Sequence, residues 1–449
     1  MQPLWTSQEI ARSTGGSTSS HWEVSNVSID TRTLQCGDLF IPLPGKVDGH
    51  LYISKAIEKG ASGVVTQEPT HIANSVQVES TILSLDMLAH YARNRCNALR
   101  IGVTGSMGKT TVKEILFSIF SRYKPSHKSV KSYNNHYGVP LTLARMPKET
   151  EFGIFEMGMN HAGELDKLSE LVQPHIAVIT NIGPSHIGNF KSLEAIARAK
   201  AEIVNGMHMG STVVLEKHGK FFDLLSDVAF SSGLQVRTFG ITGDEDVTCN
   251  VTFEKSKIVT ISYPGGTLHA KVNNLTQADL KNYACAAAVA TFCSVPKEYI
   301  INGFKNTSRP KGRGQVVSTT FQSKPITIID QSYNANPESM ALAIEELEKY
   351  SGRKIVVMGD MHELGSQSPN YHTQILQYAD NANIDIILTA GQSFGQVASR
   401  IISSKVNCFQ DWISVRGVLS SLIQPNDTIL IKGSNASGVY HLVDFLKQN

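Results

Sequence analysis

A chain of 449 residues is too long for one ordinary core, and at roughly 150 residues per domain it divides into about three. Hydrophobic residues at 41% and charged residues at 18% exclude intrinsic disorder, and 35 Gly and 16 Pro without a repeat exclude a collagen-like or low-complexity chain. Lys and Arg exceed Asp and Glu by 41 − 39 = 2, so no basic field points to nucleic acid or an anionic membrane, and any bound phosphate needs a local device.

Residues 1–98 mix short strand-like runs with turns: NVSIDTR, GDLFIPL, the helical SKAIEKGA and then SGVVTQ. They predict a small α/β domain closed by a helix around Met87 to Arg95. The opening MQPLWTSQEIARS has neither a basic nor an apolar leader region, which favours a cytoplasmic protein. From Arg100 the texture changes. The strand RIGVT enters a glycine turn and then a helix with Val112, Ile115, Leu116, Ile119 and Phe120 on one face. FGIFEM, HIAVIT and STVVLE follow as further strands, predicting a parallel sheet with helices on both faces across 99–308. A period near two between Thr248 and Val272 predicts a decorating hairpin. Tyr283 to Cys293 is the longest apolar run, too short to span a membrane and the length of a buried helix.

SRPKGRGQ (308–315) reads as a linker. PITIID, KIVVMGD, IDIILTAG and DTILIKG, each followed by a helical pattern, predict a third, doubly wound Rossmann-like domain over 309–449. The six cysteines (36, 96, 249, 285, 293 and 408) form no CxxC pair, which suits a reducing compartment better than a disulfide framework.

Strand, TGSMGKTT, helix is the strongest local signal. The run comprises Thr104, Gly105, Ser106, Met107, Gly108, Lys109, Thr110 and Thr111. The glycines let backbone N–H groups turn toward an anion, Lys109 supplies a point charge, Thr110 offers a hydroxyl to Mg²⁺, and the helix N-terminus adds positive potential. Val103 stands where the usual phosphate-loop pattern has its first glycine. ATP or GTP binding follows from the loop; the reaction does not.

Three more residues point to a metal. Glu156 ends the apolar strand GIFEM, where open α/β sheets place their ligands. His186 lies just past HIAVIT, and Lys200 lies on the helix SLEAIARAKAEI. A carboxylate beside a nucleotide is commonly bridged to it by Mg²⁺. Taken singly, Glu156 reads equally as a ligand or a solvated strand end, whereas His186 is more often a satisfied loop histidine and Lys200 usually a surface charge.

TGSMGKTT, NNHYGVPLTLARMP, FEMGMNHAGELDKL, ITNIGPSHIGNF, ARAKAEI, DQSYNANPESM, VMGDMHELG and ILIKGS occur in this order, and together they resemble the Mur ligase family, ATP-dependent amide ligases of peptidoglycan synthesis. SYNANPESM followed by GDMHELG resembles the members that join D-alanyl-D-alanine to UDP-MurNAc-tripeptide, and IDTRTLQCGDLFIPLPGKVDGHLYISKAIEKGA resembles their uridine-nucleotide domain. The resemblance implies three domains: 1–98 for the UDP-linked peptide, 99–308 for ATP, and 309–449 for ATP and the incoming dipeptide. It places Asp30, Thr31 and Arg32 at the uridine nucleotide, and Asn282 near the adenine. Arg313, Asp330, Tyr333, Asn334 and Asn336 would come onto the nucleotide and the amine. Two Mg²⁺ ions are implied, with Thr110, Glu156 and His186 at the metals and Lys200 as a carbamate, since a cationic lysine could not approach a metal. A monomer suffices for such an enzyme, and no membrane span or nucleic acid is implied.

Several positions depart from the family pattern. Gly188 stands where an acidic residue often follows the histidine, Glu216-Lys217-His218 replaces an Asn/Asp-rich turn, Ala278 and Asp279 replace a His-Asn pair, Asn435 replaces an arginine, and His136 replaces an acidic residue. The rival readings are a sister ligase taking a different amino acid or acceptor, a folate-glutamate ligase, a paralogue that only binds, and a P-loop NTPase without ligase activity.

Overall fold

The computed structural model describes residues 2–45, 47–254, 256–272, 277–307, 309–401 and 403–448, with side chains excepted at 250–257 and 277–278. Three main sheets organise it. The first is four-stranded and wholly parallel, running Asn26–Ser28, Asp38–Phe40, Gly63–Thr66 and Ser75–Gln77 in sequence order. Each strand is short, so its core is completed by the helix Thr81–Asn94, which begins earlier than the sequence reading placed it. This unit is locked onto the next. Trp5 Nε1 donates to Ala144 O at 2.8 Å, Arg145 Nε donates to Val27 O at 2.6 Å, and Leu141 and Ala144 join its apolar core.

The central sheet has nine strands. Leu99–Thr104 lies between Phe152–Glu156 and Ile176–Ile179, parallel to both. Thr212–Glu216 and Gln235–Gly240 extend it in the same sense. The expected hairpin is instead three strands, Val247–Glu254, Ser256–Tyr263 and Gly266–Lys271, and they continue the main sheet rather than decorate it. Val247 pairs beside Phe239, so the alternating pattern finds an open sheet edge to join. The helix Lys109–Tyr123 buries the predicted stripe of Val112, Ile115, Leu116, Ile119 and Phe120, and Gln277–Phe292 is the buried alanine-rich helix behind it.

The third sheet has six strands. Lys324–Gln331, Thr428–Lys432, Lys354–Gly359, Ile386–Ala390 and Val406–Phe409 are parallel, and Gln315–Phe321 adds an antiparallel edge. Open α/β sheets bind ligands outside the carboxyl ends of strands, where the order reverses. In the central sheet that point lies between Leu99–Thr104 and Ile176–Ile179. In the third it lies at Thr428–Lys432, which returns between two earlier strands. Among the described residues, no helix is long and apolar enough to cross a membrane.

Candidate active site

The loop after Leu99–Thr104 is shaped by what surrounds it. Gly105 has φ 144° and Gly108 φ 80°, both in the region that favours glycine. A Cβ on Gly105 would overlap Thr180 Oγ1, and one on Gly108 would overlap Asn282 Oδ1, so Asn282 sits directly against the loop. Ser106 N donates to Asn181 O at 3.1 Å, and Met107 N donates to Asn181 Oδ1 at 2.8 Å. Ser106 Oγ donates to Gly183 O at 2.9 Å, and Ser185 Oγ donates to Ser106 O at 3.1 Å. Two loops from adjacent strand ends thus brace one another, and one of them leads directly to His186.

Lys109 Nζ donates to Gly105 O at 2.6 Å. Desolvation lowers its pKa to about 8; Glu156 opposes that shift and Arg313 adds to it. Thr110 Oγ1 donates to Glu156 Oε1 at 3.1 Å, and Asn134 Nδ2 donates to the same oxygen at 2.9 Å. Glu156 is 0% exposed, which removes the solvated-strand-end alternative. Its Oε2 accepts no hydrogen bond and lies 3.3 Å from the ammonium of Lys113, itself wholly buried. A buried carboxylate oriented through one oxygen, with no hydrogen bond to the other among the described residues, is a fit site for a hard cation.

Lys200 is 2% exposed, so it is not a surface charge. No ion pair or hydrogen bond holds its Nζ among the described residues. Burial pushes its ammonium well below the usual lysine range, and the charge of Lys109 pushes the same way. A lone buried cation is costly. The position favours the neutral amine over the ammonium.

His186 and the third domain meet at a tight junction. The His186 Nδ1 edge contacts the Glu363 carboxylate, and this contact with His186 holds the Glu363 carboxyl below the usual range. Both residues have left-handed backbones, φ 60° and φ 63°, a strained pair that the surrounding fold must maintain. Gly188 N donates to Glu363 O at 2.9 Å, and Asn336 Nδ2 donates to Ser185 Oγ at 2.9 Å. Between the two bodies lies a cleft of about 380 Å³, with His186, Asn334, Asn336, Glu363 and Asn435 among its lining residues.

Arg313 lies 4.0 Å over the Tyr333 ring and reaches Ser132 Oγ at 3.4 Å; Ser132 Oγ in turn is 3.2 Å from Thr110 Oγ1. Asp330 is differently employed. Its carboxylate accepts from Gly312 N at 3.0 Å and from Ser332 Oγ at 2.6 Å, so it shapes the segment before Gln315. Asn334 O accepts from Lys432 Nζ at 3.0 Å.

Asp30, Thr31 and Arg32 lie apart, on the turn after Asn26–Ser28. Arg32 forms a two-point pair with Asp30, 2.7 Å at its shorter arm, and is 86% exposed. Lys59 Nζ donates to Thr31 O at 2.7 Å. The charge of Lys131 helps hold the Asp30 carboxyl low, after the larger effect of Arg32. Lys131 O also accepts from Lys113, so one residue's charge acts on this turn while its carbonyl holds a lysine of the Glu156 centre.

Three family models match the chain: "Mur ligase family, catalytic domain" over 23–104, "Mur ligase middle domain" over 103–290, and "Mur ligase, glutamate ligase domain" over 312–435. The UDP-N-acetylmuramoyl-tripeptide–D-alanyl-D-alanine ligase of Synechocystis is 32% identical over 94% of this chain and 92% of that protein. The chain belongs to the Mur ligase family. MurF from Acinetobacter baumannii superposes over the full length of both chains with a TM-score of 0.86 at 30% identity. MurF from Thermotoga maritima, solved with ADP, shares the fold at a TM-score of 0.78 and 24% identity, over 94% of this chain and 97% of that one.

Several departures of this Mur ligase from its family pattern have visible partners. A Cβ on Gly188 would overlap the backbone nitrogen of Gly365, and one on Gly365 would come within 2.8 Å of Gly188 Cα, so the bare glycine permits the junction. Glu216 pairs with Lys281, and Asp279 pairs with Arg309 at 2.5 Å. The His136 ring packs against Tyr137 at 4.0 Å. The Ala278 side chain lies outside the described residues. Gly188→Ala is expected to lower stability by about 1–3 kcal/mol through overpacking and to raise KM for the acceptor; thermal melting and acceptor kinetics check both.

Lys113, Asn134, Ser132, Glu363 and Lys432 were not singled out from the sequence. Lys113 had a readable signal, since Leu116 and Phe120 lie three and seven residues on in the same buried stripe. Lys432 had one too, as the polar end of an apolar strand.

Proposed function

We propose that this Mur ligase joins D-alanyl-D-alanine to UDP-N-acetylmuramoyl-tripeptide at the expense of ATP, giving UDP-MurNAc-pentapeptide, ADP and phosphate in peptidoglycan precursor synthesis. The observation that carries this reading is the whole-length relation to a ligase of that name, over 94% of this chain. The site's chemistry supports it. Lys109 lies within the field of Arg313, and Lys200 within that of Lys109, a gathering of cations that wants a polyanion.

Residues 1–98 hold the UDP-linked peptide, 99–308 the ATP, and 309–449 both nucleotide and dipeptide. The tripeptide carboxylate is a poor electrophile, so it is activated as an acyl phosphate, which the dipeptide amine attacks with loss of phosphate. The loop N–H groups and Lys109 orient the phosphates and offset their charge. Asn282, pressed against Gly108, borders the adenine. Arg313, with Tyr333 beneath it, closes over the nucleotide from the linker. Thr110 and Glu156 would hold one Mg²⁺, and His186 and a carbamate of Lys200 would hold a second. Bound there, Mg²⁺ screens carboxylate from phosphoryl group and stabilises the charge that develops. His186 would offer its Nε2, since Nδ1 is turned to Glu363. One chain supplies every residue named, so a monomer suffices, and the six free cysteines suit the cytoplasm.

Mass spectrometry of the product, with D-alanyl-D-alanine and single amino acids competing, tests the acceptor. A UDP-substrate enlarged by the dipeptide is expected; enlargement by one amino acid makes this a sister ligase. Asp30→Ala and Arg32→Ala are expected to raise KM for the UDP substrate about tenfold and leave KM for ATP alone. An unchanged UDP-substrate KM moves the uridine site elsewhere.

A further inference from the structure

The cations at the interdomain junction form a continuous string. Lys200 feels the charge of Lys109, and both Lys109 and Lys432 feel that of Arg313. No carboxylate pairs with Lys109, Lys200 or Lys432 among the described residues, and Glu156, the acid facing Lys109, already has Lys113 beside it. Phosphate-loop chemistry accounts for Lys109, and the resemblance accounts for Lys200 and Arg313. Lys432 is unexplained.

Lys432 ends the strand Thr428–Lys432 at the point where the third sheet's order reverses, and it is 4% exposed. An ammonium has three donors. Among the described residues, Lys432 spends one, on Asn334 O. Burial, with the charge of Arg313 adding to it, brings its pKa to about 7, which marks a place where a positive charge lacks its counterpart. A lysine kept inside a fold without an acid is retained at a cost that an incoming anion removes.

We infer that Lys432 binds the terminal phosphate of the nucleotide, reaching it from the third domain while the loop of the central domain holds the rest. This rests on the ATP reading above. The placement follows from its neighbours. Arg313 lies on the nucleotide side, within reach of Ser132 and so of Thr110, while Asn334 lines the cleft between the central and third domains, where the acceptor would enter. The phosphate that lies between loop and acceptor cleft is the one to be transferred. Lys432 therefore reports whether that phosphate is present, and it draws the third domain onto the central one for a triphosphate but not for a diphosphate.

The test compares Mg²⁺-ADP with a non-hydrolysable Mg²⁺-ATP analogue by calorimetry, on the wild-type protein and on Lys432→Met and Lys432→Arg, with melting curves to confirm folding. Lys432→Met is expected to weaken the analogue about tenfold or more and ADP by less than about twofold, with Lys432→Arg retaining most of the difference. Equal losses for both ligands assign Lys432 to holding Asn334 alone and overturn the inference, as do two unchanged affinities. Should the methionine variant not fold, small-angle scattering of the wild-type protein decides: contraction with the analogue but not with ADP is expected, and the same response to both contradicts it. If the wild-type protein binds neither ligand, the ATP reading itself has failed.

Discussion

Lys200→Ala is expected to lower turnover about 10³-fold, with nucleotide binding largely kept and part of the rate restored by added short carboxylates. The reason is electrostatic. Lys200 is almost wholly buried, has no acid paired with it among the described residues, and stands near Lys109. As an ammonium it adds to a crowd of cations and repels a metal. As a carbamate, formed when the neutral amine adds CO₂ and releases a proton, it becomes a carboxylate that complements Lys109 and can ligate Mg²⁺. Alanine leaves a hole where a small carboxylate can sit. Turnover of the variant with and without formate or acetate measures this, and a full wild-type rate without rescue removes the carbamate.

Lys109→Ala is the second large effect. Loss of ATP turnover by about 10³-fold or more is expected, together with weakened ATP binding and an unchanged affinity for the UDP substrate, whose proposed site lies on a different sheet. Lys109 touches the loop carbonyl of Gly105 rather than an acid, so its charge is free for phosphate. Retained turnover would remove the phosphate-loop assignment. Titrating each ligand separately distinguishes a lost nucleotide site from a misfolded chain.

The phosphate loop was legible because its physics is local: glycines, a lysine and a helix start lie within eight residues. The linker and the strands of the third domain were legible for a similar reason, since Pro, Gly and apolar runs act over short stretches. Val406–Phe409 leaves no clear signal in the sequence because it is short and only half buried. The strands after Gln235–Gly240 were seen as alternating but not as part of the main sheet, because which edge a strand joins is decided by distant partners. Glu156 and Lys200 stand out as candidates, yet their burial, which separates them from solvated charges, exists only in the fold. Lys113 shows the same limit. A lysine on a helix reads as solvated until the segment carrying Lys131 and the Glu156 strand close over it. His186 was placed among metal ligands by resemblance; that one of its ring edges faces Glu363, 177 positions along the chain, no local pattern could say.

Phosphate release from ATP and Mg²⁺, measured with UDP-MurNAc-tripeptide present and D-alanyl-D-alanine added or omitted, tests the central claim most directly. Sustained release that requires both substrates is the predicted result. Release that proceeds without either would contradict it and leave a free-standing NTPase.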